Sequence, residues 1–242
     1  MILGSRIHKI AKRLNVKIIW KKLFIAVTVI FLAHATALPD VINNNVIDYT
    51  VNSTKVTLCV EPRFDITKAS TEAIVNAANS MLSHGGGVAL AISQAAGPAL
   101  QIWSDMVPLN KEGMRVALGD AIVSPSFALN QHGIKHIIHT VGPNFNIAGQ
   151  QGKQGESLLY NAWHNALIKA HENNISSVTF PSISTGIFGA DKEMAACQAD
   201  RAIRDFLQKY CNTPLRHIVI GLWPDTWPAY AKTFEKSSPQ LK

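Results

Sequence analysis

The chain has 242 residues, of which 47% are hydrophobic and 16% are charged, a composition too apolar for an intrinsically disordered protein. Its formal net charge of +7 lies at one end, because residues 1–37 carry seven Lys or Arg residues and no acid, while the remainder has equal numbers of basic and acidic residues. Binding through phosphate neutralisation needs clustered Lys and Arg on the folded domain, so the neutral remainder argues against nucleic acid as a partner.

The first 37 residues have the pattern of an export signal. A basic stretch is followed by the apolar run 23–33 and then by Ala35-x-Ala37, the small-x-small pattern of a signal-peptidase site. The run is about half of the roughly twenty residues that a membrane-spanning helix requires. We therefore predict cleavage near Ala37 and export to the periplasm or the medium. The alternatives are an uncleaved signal anchor, which would hold the protein at a membrane, and a basic soluble helix.

Residues 38–242 show no repeat and no strong linker, and their length suits one domain. Short apolar runs alternate with segments of helical periodicity, which predicts a layered α/β fold with a sheet covered on both faces. The predicted strands are 55–60, 73–77, 120–123, 135–139, 177–180 and 216–220, and the predicted helices are roughly 87–106, 154–173, 190–211 and 225–236. In such sheets ligands bind beyond the carboxyl ends of the strands.

Two loops that follow strands carry the residues best suited to a ligand. The glycine loop, residues 76–87, ends in Gly85-Gly86-Gly87 directly before a predicted helix, where inward N–H groups can hold a phosphate. The serine-threonine loop, residues 182–189, again lies between a strand and a helix. Neither loop matches the commoner phosphate motifs. Two such loops at one sheet edge nevertheless predict a diphosphate held between them.

The three cysteines are an odd number and form no CxxC or His-rich cluster, so we predict neither a disulfide framework nor a zinc site. Cys59, Cys197 and Cys211 are expected to be small buried side chains, although a bridge between Cys197 and Cys211 is left open.

Six short segments follow one another along about residues 55–223: 65–67 (DIT), 73–79 (AIVNAAN), 84–89 (HGGGVA), 96–98 (AGP), 139–143 (HTVGP) and 183–189 (ISTGIFG). In this order and combination they resemble the macro domain, the ADP-ribose-binding α/β/α module. The resemblance implies a three-layer α/β/α sandwich with a mixed, mostly parallel sheet of six or seven strands.

The resemblance also implies how ADP-ribose is bound at its adenine end. The Asp65 carboxylate would accept a hydrogen bond from the adenine amine, and the Ile66 N–H would meet a ring nitrogen. The alternative for Asp65 is a cap on the turn before Thr67. Trp223 would stack on adenine, unless it is a core or boundary aromatic.

For the diphosphate and the distal ribose, the resemblance implies contacts from both loops. Asn79 would bind the distal ribose hydroxyls, Asn76 would brace the loop, and Phe188 would also pack against the distal ribose. The N–H groups facing the diphosphate would belong to Gly85, Gly86, Gly87, Val88, Ser184, Thr185, Gly186, Ile187 and Phe188.

Hydrolytic members that resemble the chain often carry an acid directly after Gly-Gly-Gly-Val, where this chain has Ala89. A water oriented by Asn79 and polarised by the substrate's phosphate would then attack the distal ribose. His84 would assist this step or only order its loop. The implied activity is hydrolysis of ADP-ribose from mono-ADP-ribosylated acidic side chains, by a monomer without metal or other cofactor. The alternatives are a binding module without activity, and an O-acetyl-ADP-ribose deacetylase or ADP-ribose 1''-phosphate phosphatase.

Overall fold

The computed structural model of the chain describes residues 46–62 and 64–237. The predicted export signal and its cleavage site at Ala37 lie outside these residues. No helix in the described ranges is long and apolar enough to cross a membrane.

The fold is built on a seven-stranded mixed sheet with the order β1-β2-β7-β6-β3-β5-β4. The five inner strands are parallel, and β1 and β4 pair antiparallel at the two edges. The strands are β1 Val46–Val51, β2 Thr54–Val60, β3 Ala73–Ala77, β4 Ala121–Pro125, β5 His136–Thr140, β6 Ser177–Pro181 and β7 His217–Leu222. This confirms the predicted α/β sandwich.

Helices cover both faces of the sheet because successive strand residues point to opposite sides. Ile74 packs with Ile92 of the first helix and Leu100 of the second, whereas its neighbour Val75 packs with Trp163 and Phe206 on the other face. The helices are α1 Gly87–Ala96, α2 Pro98–Met106, α3 Gly152–Glu172, α4 Lys192–Lys209 and α5 Trp227–Ser237.

Two elements differ from the sequence-based prediction. The predicted helix 87–106 is two helices, because Gly97 has a positive φ of 81° and Pro98 then begins α2. Strand β1 was not predicted, although Ile47 and Tyr49 alternate with exposed residues. Asn52, with φ 54°, turns the chain from β1 into β2.

A crevice opens between β3 and β6 at the centre of the sheet. These two strands pair only at Ala73 with Val178 and at Ile74 with Thr179, whereas β3 pairs with β5 along its whole length. The connection after β3 leads to β4 and β5 on one side, and the connection after β6 leads to β7 on the other. A place where the connections of two neighbouring strands leave in opposite directions is a topological switch point, and open α/β sheets bind ligands there.

Candidate ligand-binding cleft

The glycine loop and the serine-threonine loop face each other across this crevice. The Ile187 side chain reaches over the glycine loop, so that a Cβ built on Gly86 would lie 3.2 Å from Ile187 Cδ1, and one on Gly87 would lie 3.7 Å from it. Ile187 is itself 70% exposed. The two loops that the sequence singled out therefore form the two walls of one cleft.

The glycine loop ends at the N-terminus of α1, which is left uncapped by any side chain. Gly86 is the N-cap in an extended conformation, and Gly87 begins the helix with φ 56°. No acid lies in the first turn. Because the first N–H groups of a helix have no intrahelical acceptor and carry the positive end of its dipole, this end is suited to an anion.

The backbone of the serine-threonine loop is held through its carbonyl groups. Ala190 N donates to Ser184 O at 2.9 Å, Gly189 N to Gly186 O at 3.0 Å, and Phe145 N to Phe188 O at 2.8 Å. Across the described residues, the N–H groups of 184–188 have no acceptor within the protein. These N–H groups, with those of residues 85–88, are called the N–H rim below.

Close backbone contact keeps the serine-threonine loop against the end of the sheet. Ser184 has φ 64° and is buried beside Gly142, where an added Cβ would lie 2.3 Å from Ser184 Oγ and 2.7 Å from Ile183 Cγ2. The Asn146 amide donates to Ile187 O at 3.0 Å. Thr185 Oγ1 lies 2.7 Å from Ser182 Oγ, so its side chain is occupied within the loop.

Asn79 holds the glycine loop in shape with its own amide. Its Oδ1 accepts from Met81 N at 3.1 Å and from Ser83 N at 3.0 Å, and its Nδ2 donates to Ser83 O at 2.7 Å. The side chain is half-buried at the cleft. An amide nitrogen has two hydrogens, so one of them remains for a ligand.

Asn76 lies deeper and belongs to a buried polar cluster formed by Asn76, His84, Ser104, Ser124 and His139. Asn76 Nδ2 lies 3.3 Å from His84 Nδ1 and 3.0 Å from His139 Nδ1. His84 Nε2 lies 3.0 Å from Ser104 Oγ, and His139 Nε2 lies 2.9 Å from Ser124 Oγ. Asn76 thus braces the floor of the cleft.

Both histidines of this cluster are held neutral by burial. Loss of solvent lowers the pKa of His139 to about 3, with a smaller contribution from His84. Burial likewise lowers the pKa of His84, against an opposing effect of Asp105. Both ring nitrogens of His84 are in hydrogen bonds, an arrangement that favours ordering the loop over proton transfer to a substrate.

The predicted adenine end is formed by the ends of the neighbouring strands β2 and β7. Asp65 caps a 3-10 turn, Ile66–Lys68, and its Oδ1 accepts from Thr67 N at 3.1 Å and from Thr67 Oγ1 at 2.6 Å. The capping role is therefore present, and Oδ2 lies 3.9 Å from Lys68 Nζ. Ile66 is buried at the start of the turn, and Trp223, directly after β7, is 58% exposed.

Several residues of the cleft were not predicted from the sequence. Phe64 fills the space above Gly221, where an added Cβ would lie 2.0 Å from the Phe64 ring. His139 stacks on Trp103 with ring centroids 5.4 Å apart. For His139 the signal was its place in the HTVGP segment, but nothing in the sequence pairs it with Asn76.

Val88 and Ala89 lie in the first turn of α1. Val88 packs against the cluster beneath α1, and Ala89 is buried.

The three cysteines are free, and Cys197 and Cys211 are exposed, which corrects the expectation that the cysteines are buried. Cys197 lies within α4, and twelve residues of helix span about 18 Å, so a bridge to Cys211 beyond the helix end does not form. Within the described ranges no group of His, Cys, Asp or Glu is placed to hold a metal ion.

Comparison with known proteins gives one consistent result. The model of the Macro domain family matches residues 75–199. An ADP-ribose glycohydrolase of Archaeoglobus fulgidus is 36% identical over 149 residues, 59% of this chain and 75% of that protein. An O-acetyl-ADP-ribose deacetylase of Salmonella typhimurium is 40% identical over 146 residues, 60% of this chain and 77% of that protein. The Oceanobacillus iheyensis macrodomain with ADP superposes with a TM-score of 0.70 at 34% identity, covering 79% of this chain and 96% of that one.

Proposed function

The chain belongs to the macro domain family, and on that premise we propose that its cleft binds ADP-ribose and hydrolyses the bond between ADP-ribose and an acidic side chain. The observation that carries the proposal is the N–H rim, which offers hydrogen-bond donors from two loops to one crevice. A diphosphate presents acceptor oxygens only, and it is the group that such a rim fits best.

The two ends of the ligand are assigned from the residues on either side of the crevice. Adenine would lie at the ends of β2 and β7, with its amine on Asp65 Oδ2, since Oδ1 is occupied by Thr67. The exposed Trp223 offers a flat face beside it. The distal ribose would lie at Asn79, whose remaining amide hydrogen faces the hydroxyls, and near Phe188.

The absence of an acid at position 89 limits which bonds can be cleaved. Ala89 cannot accept a proton, and both nitrogens of His84 are occupied by Asn76 and Ser104. A carboxylate leaving group, with a conjugate-acid pKa of about 4, departs without protonation. The chain therefore suits an ester between ribose and a Glu or Asp side chain. Asn79 and the substrate's phosphate would orient the attacking water, so that positioning supplies much of the rate.

The test combines binding and release with the full-length protein. Isothermal titration should detect ADP-ribose, and incubation with a Glu-linked, mono-ADP-ribosylated protein should release free ADP-ribose. Asn79→Ala removes every loop contact together with the donor, whereas Asn79→Asp keeps the two Oδ1 contacts and loses the amide nitrogen, with its bond to Ser83 O as well as its free hydrogen. Asn130→Ala, at an exposed asparagine of the 3-10 helix Phe127–His132, is the control.

We expect both Asn79 variants to lose most of the release and to bind ADP-ribose less than tenfold more weakly, a loss of about one hydrogen bond. Binding without any release by the wild-type protein would leave a binding module. Absence of binding would contradict the whole proposal.

Deacetylation of O-acetyl-ADP-ribose is the second candidate. The Salmonella relative carries that name, and its substrate is also a carboxylate ester of ribose. A panel with the protein ester, O-acetyl-ADP-ribose and ADP-ribose 1''-phosphate at equal concentrations ranks the reactions. Faster turnover of the acetyl ester would favour the second candidate, and turnover of the phosphate ester would favour the phosphatase alternative.

We also propose export, supported by the basic start, the apolar run and Ala35-x-Ala37. N-terminal sequencing of protein recovered from cells should begin at residue 38. A chain that begins at Met1 and stays with the membrane would favour the signal anchor.

A further inference from the structure

The buried polar cluster contains a hydrogen-bond arrangement that links β3, β5 and α2 beneath the glycine loop. Asn76 on β3 is its centre, with His139 opposite it on β5 and His84 directly before the three glycines of the glycine loop. Asn76, Ser104, Ser124 and His139 are inaccessible to solvent, and His84 is nearly so. Its donors and acceptors therefore have to be matched within the protein.

Counting protons assigns the tautomer of both histidines. The Asn76 amide nitrogen donates two hydrogens, one to Nδ1 of each histidine, so both Nδ1 atoms must be unprotonated acceptors. Each neutral ring then carries its proton on Nε2. For His139 this proton goes to Ser124 Oγ, whose own hydrogen goes to Pro125 O at 2.9 Å, so every hydrogen is used once.

The reversed orientation of the Asn76 amide fits the cluster less well. Asn76 Oδ1 has no partner in the described part of the protein, so the observed orientation leaves one buried acceptor unpaired. Reversal of the amide would place the nitrogen of Asn76 at that position and leave both of its hydrogens unpaired. It would also require the Ser124 hydroxyl to leave Pro125 O in order to donate to His139 Nε2.

We propose that His139 is a positioning residue of the cleft. By accepting one amide hydrogen of Asn76, His139 directs the other to Nδ1 of His84. His84 therefore keeps its proton on Nε2, facing Ser104 of α2, and the last part of the glycine loop is tied to that helix. Gly85, Gly86 and Gly87 follow directly, so this arrangement fixes where the N–H groups on the glycine-loop side of the N–H rim point.

The surroundings of His139 suit a fixed acceptor. Its ring stacks on Trp103 and lies 5.6 Å from the His84 ring. The titratable and charged groups that act on this pair are each other and Asp105 of α2, which faces His84. The inference relies on the proposed function only where ADP-ribose affinity is the measurement.

The experiment compares His139→Asn with His139→Leu in the full-length protein. An asparagine amide can place an oxygen near the position of His Nδ1 and restore the acceptor, whereas leucine fills the space without one. His136→Leu, on the same strand and outside the cluster, is the matched control. Imidazole nitrogen shifts in long-range 1H–15N spectra report the tautomers without any ligand, and isothermal titration reports the affinity for ADP-ribose.

We expect unprotonated Nδ1 on both histidines in the wild-type protein, and His84 unchanged in His139→Asn. In His139→Leu, His84 should populate the other tautomer, and the affinity should fall by about tenfold, the equivalent of one lost hydrogen bond. His139→Asn should stay within about threefold of the wild type, because the acceptor is restored.

The inference would be overturned if either histidine were protonated on Nδ1 in the wild-type protein. It would also be overturned if His84 kept its tautomer in folded His139→Leu, or if His139→Asn bound ADP-ribose as weakly as His139→Leu. If His139→Leu does not fold, the wild-type spectrum and His139→Asn still decide. A wild-type protein with the expected tautomers but no ADP-ribose binding would contradict the proposed function alone.

Discussion

Asn76 and Asn79 lie three residues apart on one segment, yet they belong to two different regions of the cleft. Asn76 is fully buried between two histidines, with its oxygen unpaired among the described residues. Asn79 is half-buried, its oxygen accepts two backbone N–H groups, and one amide hydrogen remains free. The buried polar cluster supports the floor, and Asn79 with the N–H rim forms the surface that meets a ligand.

The difference shows that the same side chain contributes stability or recognition according to its depth. At the floor, each unpaired group would cost the full penalty of burial without water, so removal of one partner is expensive. At the rim, water replaces a lost contact, and the main effect of a change falls on the ligand. The predictions below test this division, from the largest expected effect to the smallest.

Asn76→Ala should cause the largest loss of stability. It leaves Nδ1 of both His84 and His139 buried without a donor, which costs about 2–4 kcal/mol. Asn79→Ala should cost only about 1 kcal/mol, because its contacts cap a solvent-accessible loop. Urea denaturation of both variants measures the free energies of unfolding. Equal losses in the two variants would contradict the division between floor and rim.

Acid should destabilise the floor before it affects the carboxylates. The pKa of His139 is lowered to about 3 in the folded protein, so the unfolded chain binds the proton more tightly. The stabilising contribution is complete above the unfolded pKa of about 6.5, and it is lost as the pH falls toward the folded pKa.

The expected slope from His139 is at most about 1.4 kcal/mol per pH unit below about pH 6.5. Unfolding by urea between about pH 6.5 and 5 measures it in a window above the range where Glu72 titrates, because hydrogen bonds from Ser176 lower the Glu72 pKa to about 2. His139→Asn should make the curve less steep without flattening it, because burial also lowers the pKa of His84, His164 and His217. An equally steep curve in that variant would assign the acid sensitivity to other groups.

Gly87→Ala tests the rim. Gly87 has φ 56°, so alanine would strain the backbone by about 1 kcal/mol or shift the first N–H groups of α1. Gly133→Ala serves as the control. Gly133 has φ 86° and open space around it, and it precedes β5, so it lies at the end of the strands opposite to the cleft. We expect similar losses of stability, but an ADP-ribose affinity about tenfold lower only in Gly87→Ala. Unchanged affinity there would remove the glycine loop from the binding site.

The sequence predicted the parts of the fold that follow from periodicity and from adjacency at a sheet edge. Six inner and edge strands and the two facing loops belong to this group, because apolar runs and glycines mark them directly. Strand β1 was missed because its short alternation next to a two-residue turn gives a weak signal. The division of residues 87–106 at Gly97 was missed because the apolar pattern continues through both helices.

The roles of single polar residues were harder to predict, since they depend on contacts far apart in the chain. His139 meets Asn76 only because β3 and β5 are paired in parallel at that register. Asp65 was predicted to bind adenine or to cap a turn, and one carboxylate oxygen does cap it while the other accepts no backbone N–H of that turn. The sequence alone does not show which oxygen of a carboxylate contacts which partner.

The smallest expected effect is that of salt on ADP-ribose binding. The +7 charge of the chain lies within residues 1–37, and the rest is formally neutral. Binding through backbone N–H groups acts over hydrogen-bond distances, well inside the Debye length of about 8 Å at physiological ionic strength. Titrations at about 0.05 and 0.5 M NaCl should therefore differ by less than about threefold, whereas a cluster of cationic side chains would weaken by far more. A tenfold loss of affinity at the higher salt concentration would mean that charged side chains, and not the N–H rim, recognise the diphosphate. A weaker affinity of Gly87→Ala could then not be assigned to the N–H rim either.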